Sequence, residues 1–93
     1  MGKFRVKIEE LADQHFKKHF KSGDKSIINK ITKILIELRD HPYVGIGNPE
    51  PLKYEMFGFW SRRLNQKHRL IYKVDENVVT VFIISAMSHY GDK

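Results

Sequence analysis

Apolar and polar positions follow two different periods along this chain, and the change between them divides it in half. Residues 4–8 (F-R-V-K-I) alternate apolar and basic, the pattern of a half-buried strand with Phe4, Val6 and Ile8 toward the core. Glu9 and Glu10 follow, where a helix N-terminus favours negative charge. Leu11, Ala12, His15, Phe16, His19 and Phe20 then recur at helical spacing and predict a first helix over residues 9–21. Gly23 supplies a stop and Asp24 an N-cap. Ile27, Ile28, Ile31, Ile34, Leu35 and Leu38 mark one face of a second helix over residues 25–40. Helices joined by so short a turn form an antiparallel hairpin. Pro42 ends the second one, because the residue before a proline disfavours helical geometry.

Residues 43–51 (Y-V-G-I-G-N-P-E-P) are a loop whose prolines stiffen the backbone around Glu50. Beyond it the period becomes that of strands. Residues 52–55 read as a short extended piece and 56–58 as a turn or bulge. Residues 59–65 form a strand with Phe59, Ser61 and Arg63 on one face and Trp60, Arg62 and Leu64 on the other. A turn at 65–67 leads to a returning strand over 68–74, and a second turn at 75–77 leads to residues 78–87. That last run is apolar on both faces, as a central strand is. The expected fold is α+β: β-α-α, then three or four strands as an antiparallel meander. The two helices cover one face of a twisted sheet, and the arginines occupy the other.

Composition narrows this picture. A chain of 93 residues, 41% hydrophobic and 30% charged, predicts one small domain over residues 1–93 and argues against disorder. No apolar run approaches the ~20 residues that span a bilayer, and no apolar export segment opens the chain, so no membrane role and a cytoplasmic location are expected. The absence of cysteine excludes disulfides, thiolate chemistry and cysteine-ligated zinc. The formal charge is +6, which favours a polyanionic partner. It is concentrated: residues 52–73 hold Lys53, Arg62, Arg63, Lys67, Arg69 and Lys73 against Glu55 alone, a net of +5. His15 and His19 lie four apart on one helical face, as metal ligands can, but no third ligand of a recognised pattern accompanies them. They read as partly exposed histidines beside a phenylalanine stripe. Lys30, Lys33 and Glu37 read as a solvated face.

A carboxylate beside such a cationic cluster is an ion-pair partner or a catalytic base. RNA can be cleaved through its own 2′-hydroxyl, given a base for that hydroxyl, an acid for the leaving 5′-oxygen and cations for the charge gathering on the phosphate. Glu50 fits the base and His89 the acid. Arg69 offers planar donors to phosphate oxygens, and Tyr90 an aromatic face for a base. Residue types alone nevertheless favour a basic RNA- or protein-binding surface over catalysis.

The spelled-out motifs change that balance. G-N-P-E-P-L-K at 47–53, G-F-W-S-R-R-L at 58–64, H-R-L-I-Y at 68–72 and S-H-Y at 88–90 resemble the YoeB/Txe family, toxins of bacterial toxin–antitoxin pairs within the RelE superfamily. The resemblance is dense over residues 42–90, while the first half agrees in element order more than in residues. It implies a compact, microbial-ribonuclease-like α+β fold that needs no cofactor or metal. It implies cleavage of messenger RNA in the A site of a translating 70S ribosome. It also implies neutralisation by a cognate antitoxin of the YefM/Axe type (Phd family), whose C-terminal segment wraps the toxin. Members often form homodimers. By the same resemblance Glu50 is the general base, Arg69 the transition-state arginine and His89 the general acid. Tyr90 is its substrate-positioning neighbour, and Lys53 and Arg63 are basic positions along the phosphate backbone. His68 is a structural or ribosome-facing neighbour. The family usually ends at or near its H-Y pair, whereas Gly91, Asp92 and Lys93 follow it here and are expected to hang free. The alternative is a non-enzymatic ParE-like toxin or a basic binding module on the same fold, which has no need of Glu50, Arg69 and His89 together.

Overall fold

Asp24 is the pivot of the N-terminal half. Its side chain accepts from the backbone N–H of Ser26 (3.0 Å) and Ile27 (3.2 Å), capping the second helix, while Gly23 (φ 78°) closes the first in the left-handed conformation. The computed structural model describes residues 3–87. Its elements run β1 (Arg5–Ile8), α1 (Glu10–Ser22), α2 (Lys25–Leu38), β2 (Glu50–Pro51), a 3₁₀ turn (Tyr54–Met56), β3 (Phe59–Arg63), β4 (Arg69–Asp75) and β5 (Thr80–Ser85).

Both helices lie on one face of the sheet, as their apolar stripes require. Ala12 and Phe16 of α1 and Ile27, Ile31, Ile34 and Leu38 of α2 pack with Leu70, Tyr72, Val81 and Ile83 in one buried cluster. Burying one such side chain contributes about 1.5–3 kcal/mol. A cap is worth about 1. The α2 stripe, rather than Asp24, therefore does most to hold that helix on the sheet. The α1 stripe is narrower than its periodicity suggests. It centres on Ala12, Phe16 and His19, which leaves Leu11 and Phe20 half-exposed at its margins.

The sheet order is β1-β5-β4-β3-β2. Neighbours from β2 to β5 are antiparallel, as the meander predicts, but β1 joins β5 in parallel, with Val6 opposite Val81 and Ile8 opposite Ile83. The result is a five-stranded mixed sheet. A parallel pair needs a long crossover, and the α1–α2 hairpin is part of it. β5 is thereby a central strand, which explains its two apolar faces. β1 is an edge strand; Phe4 is buried, Val6 partly so, and Ile8, next to the start of α1, is exposed rather than in the core. Among the described residues no helix is long and apolar enough to cross a membrane.

Candidate active site

Arg62 organises the approach to the site. It follows Trp60 on the helix face of β3, and its side chain is completely buried. Nη1 donates to Glu37 Oε1 of α2 at 2.6 Å and to the Ile46 carbonyl at 3.3 Å. Nη2 donates to the carbonyls of His41 (2.7 Å) and Val44 (2.9 Å), and Nε to the Tyr72 hydroxyl (3.3 Å). Tyr72 in turn donates to the Pro42 carbonyl at 2.6 Å. Burial pushes the Tyr72 hydroxyl above its ordinary range, against the opposing pull of the Arg62 cation. Glu37 also accepts from the Ile46 N–H at 3.1 Å. Gly45 (φ 134°) lies so close that a Cβ there would run into the Glu37 carboxylate and the Arg62 guanidinium. The loop between α2 and β2 is thus strapped to β3 through its own carbonyls. Two sequence expectations change here. Glu37 is an ion-pair partner rather than part of a solvated face. Arg62 points toward the helices rather than standing with the other arginines.

The strap delivers the chain to the sheet edge. Arg63 N–H donates to the Gly47 carbonyl at 2.6 Å, and Leu52 N–H to the Phe59 carbonyl at 2.8 Å. Between them Glu50 stands opposite Ser61 and Pro51 opposite Trp60. Glu50 therefore sits in a strand ladder rather than on a loop held only by prolines. Directly opposed residues of antiparallel strands share a face. Glu50, Ser61, Arg63 and Arg69 accordingly lie on the face away from the helices, since Arg63 opposes Arg69.

There, Arg69 Nη1 stands 3.7 Å from Glu50 Oε1. The arginine side chain is mostly buried and the carboxylate is 55% exposed. Both line a cleft of about 340 Å³ with Leu52, Lys53, Tyr54 and Ser61. Ser61 is buried at its floor, and its Oγ has no hydrogen-bond partner among the described residues. The structure thus brings together Glu50, Lys53 and Arg69. Arg63 is their exposed neighbour, opposite Arg69 and outside the cleft lining. His89 and Tyr90 lie outside the described residues. A carboxylate, a planar cation and an ammonium around one opening suit an anionic ester: one group takes a proton while the others hold charge on non-bridging oxygens.

Tyr54 and Glu37 escaped the sequence reading. Tyr54 is 84% exposed at the cleft and holds a left-handed backbone (φ 58°). Its signal was an aromatic residue directly after Lys53. Glu37 carried a subtler one. An acid in the last turn of a helix opposes the macrodipole, which itself suggests a partner.

The α1 histidines also depart from expectation. His19 is buried, with Nε2 2.7 Å from the Ala86 carbonyl oxygen, and the Ala86 N–H donates to His15 Nδ1 at 3.0 Å. The His68 ring meets His19 edge-on at a centroid distance of 5.0 Å. Among the described residues no group of three or more His, Cys, Asp or Glu side chains is arranged to hold a metal ion.

A helix hairpin on a mixed five-stranded sheet, with this cleft at the β2–β3–β4 corner, defines a toxin of the RelE/ParE structural superfamily. The YoeB/ParE toxin from Agrobacterium tumefaciens superposes with a TM-score of 0.82 at 28% identity, covering 94% of this chain and 100% of that one. Residues 8–90 match the sequence model of the YoeB-like toxins of bacterial type II toxin-antitoxin systems, and the chain belongs to that family. Toxin YoeB of Escherichia coli K12 is 39% identical over 72 residues, covering 77% of this chain and 83% of the relative. YoeB of Staphylococcus aureus, solved as a dimer, is 35% identical with a TM-score of 0.77, covering 95% of this chain and 99% of that one. The S. aureus toxin has also been solved as a heterotetrameric YoeB-YefM toxin-antitoxin complex, with a TM-score of 0.74 and 36% identity, over 94% and 98% of the two chains.

Proposed function

We propose that this toxin is an endoribonuclease that cleaves messenger RNA in the ribosomal A site and so stops translation. The observation that carries the reading is the placement of Glu50 and Arg69 3.7 Å apart in one cleft with Lys53. Glu50 takes the proton of a 2′-hydroxyl, whose oxygen attacks the adjacent phosphorus in line. Arg69 holds the charge that builds on the non-bridging oxygens, helped by Lys53 and by Arg63 on the next strand. His89 protonates the departing 5′-oxygen, and Tyr90 positions the substrate. The products are a 2′,3′-cyclic phosphate and a 5′-hydroxyl, and the acid–base set balances the protons without a metal. The family match running through residue 90 supports the roles given to His89 and Tyr90.

Neutralisation follows from the same charge distribution. An acidic antitoxin segment of the YefM kind, as partners the S. aureus toxin, would cover the cationic face and its cleft. Homodimerisation of the free toxin follows the S. aureus precedent. A ribosomal substrate places the activity in the cytoplasm.

The test is single-turnover cleavage of a translated message, read by primer extension. Glu50→Ala and His89→Ala are each expected to lower the rate at least about a hundredfold, the usual worth of general acid–base catalysis. Near-wild-type rates in both would sink the mechanism. Loss of DNA supercoiling before loss of translation would move the chain to a ParE-like action.

A further inference from the structure

The peptide group of Ala86 is gripped from both ends by one helix. His19 Nε2 lies 2.7 Å from its carbonyl oxygen, and its N–H reaches His15 Nδ1 at 3.0 Å. These bonds tie α1 to the chain immediately after β5, where the ladder has ended at Ser85 opposite Ile71. Ala86 is fully buried and stands three residues before His89. Three residues reach about 10 Å at full extension, so the position of Ala86 bounds how far from it an acid at position 89 can act. On the other side, His68 packs edge-on against His19 and directly precedes Arg69. The clamp thus adjoins the entry of β4 as well as the end of β5.

We infer that His15 and His19 are positioning residues: their two hydrogen bonds to the Ala86 peptide fix the chain where it leaves β5, and protonation of His15 opens the clamp. This deepens the reading of His89 as general acid and rests on it.

The chemistry of the two rings sets the direction. His15 accepts through Nδ1 and can do so only while neutral, with its proton on Nε2. A protonated His15 would present an N–H to an N–H. His19 bonds a carbonyl and so donates, which either of its protonation states permits through Nε2. The groups around His15 reinforce its neutrality. Burial first, and then Coulombic repulsion from Lys18, His19 and His68, hold its pKa below the ordinary value of 6.5. Lys18 and His19 belong to α1 and His68 to the entry of β4; β5 and its continuation to Met87 carry no titratable side chain. In the window between that lowered value and 6.5 the released chain binds more protons than the clamped one. The clamp is therefore at full strength above about pH 6.5 and weakens as pH falls through the lowered value.

Asn and Gln provide conservative variants that do not titrate. In His15→Asn the amide oxygen takes the place of Nδ1, and in His19→Gln the amide nitrogen takes the place of Nε2. Two readouts are measured on the full chain between pH 5.5 and 7.5: hydrogen-exchange protection of the Ala86 amide, and single-turnover cleavage on ribosomes. In the wild type, Ala86 protection should fall several-fold, at most about tenfold, on acidification. His15→Ala should lose it at both ends of the range, and His15→Asn should keep it throughout. His15→Ala and His19→Ala should lower the saturating cleavage rate by about tenfold or more, since misplacing a catalytic group by an ångström has effects of that order or larger. His15→Asn and His19→Gln should restore most of that rate. Unchanged Ala86 protection in both alanine variants overturns the inference. So does equal loss of cleavage in the alanine and amide variants, which would leave the histidines only a packing role. His89→Ala cleaving like the wild type would remove the acid assignment, while Ala86 protection would still decide the clamp by itself.

Discussion

Arg62 and Arg69 sit on neighbouring strands, each beside a glutamate, and the two pairs differ in nearly every physical respect. Arg62 is fully buried, stands 2.6 Å from Glu37, and makes five hydrogen bonds to the carboxylate, three carbonyls and a hydroxyl. Arg69 stands 3.7 Å from a glutamate whose side chain is 55% exposed, at the mouth of a cleft. One pair leaves the guanidinium almost no donor free for a ligand. The other is longer and opens onto the cleft. A buried charge is tolerated only where the protein supplies its partners, so Arg62 reads as architecture. Arg69 stands at a cleft mouth beside a half-exposed carboxylate, where an incoming anion can meet it. The sheet pleat makes this division possible, because it sends Arg62 and Arg63, adjacent in sequence, to opposite faces.

The largest expected effect falls on the buried pair. Arg62→Met should cost about 3 kcal/mol in urea denaturation, the low end for breaking a buried ion pair, because Glu37 keeps 31% of its side chain exposed. For a chain of this size that is a fall in Tm of more than about 12 °C. Arg62→Lys should recover little, since an ammonium cannot span the carbonyls of His41, Val44 and Ile46 that the planar fork engages. A stability change near zero would end the comparison, because the buried Arg62 network would then contribute nothing to holding the fold together.

Arg69→Ala is the converse. Water reaches the half-exposed Glu50 carboxylate and screens the pair, so its loss should cost only about 1 kcal/mol, well below the cost of Arg62→Met. Cleavage should fall by about a hundredfold or more, the usual loss when a donor to developing charge is removed. A variant that unfolds as readily as Arg62→Met would show that the Glu50 pair also holds the sheet edge together. A variant that cleaves at the wild-type rate would leave the cleft without its cation.

These contrasts also show what the sequence could disclose. The α2 stripe was legible residue by residue, because a single period over many apolar positions has one structural solution. The alternation across residues 59–64 correctly separated Arg62 from Arg63 and Ser61. It could not say which face met the helices, so Arg62 was counted with the exposed cations. The parallel pairing of β1 with β5 was out of reach, since local patterning carries no information about partners far apart in the chain. Glu50 and Arg69 stand out by residue type within a cationic cluster that includes Lys53, and the family resemblance supplies the roles expected of all three. Their meeting in one cleft depends on Gly45 and Glu37, whose roles arise only when the loop folds against β3. The histidine pair was noticed for its spacing and missed for its use, because the acceptor and donor it serves belong to the backbone of Ala86.

The smallest effect separates stability from site geometry. Asp24 caps α2 at its N-terminus and touches neither arginine pair. Thirteen residues along the same helix is Glu37, about 20 Å away at the helical rise. Asp24→Ala should cost about 1 kcal/mol, or roughly 4–8 °C in Tm. Cleavage at 25 °C should be unchanged, because fraying of the first turn does not reach the last when Ile31, Ile34 and Leu38 are packed in between. Retained cleavage would mean that a loss of stability by itself does not disturb the cleft. A fall in Arg69→Ala could then be assigned to chemistry, and one in Arg62→Met to the release of the loop that delivers Glu50. A parallel loss of cleavage in Asp24→Ala would instead mean that α2 moves as one body with its C-terminal carboxylate. The strap would then extend from Arg62 through Glu37 to the cap at the far end of the helix.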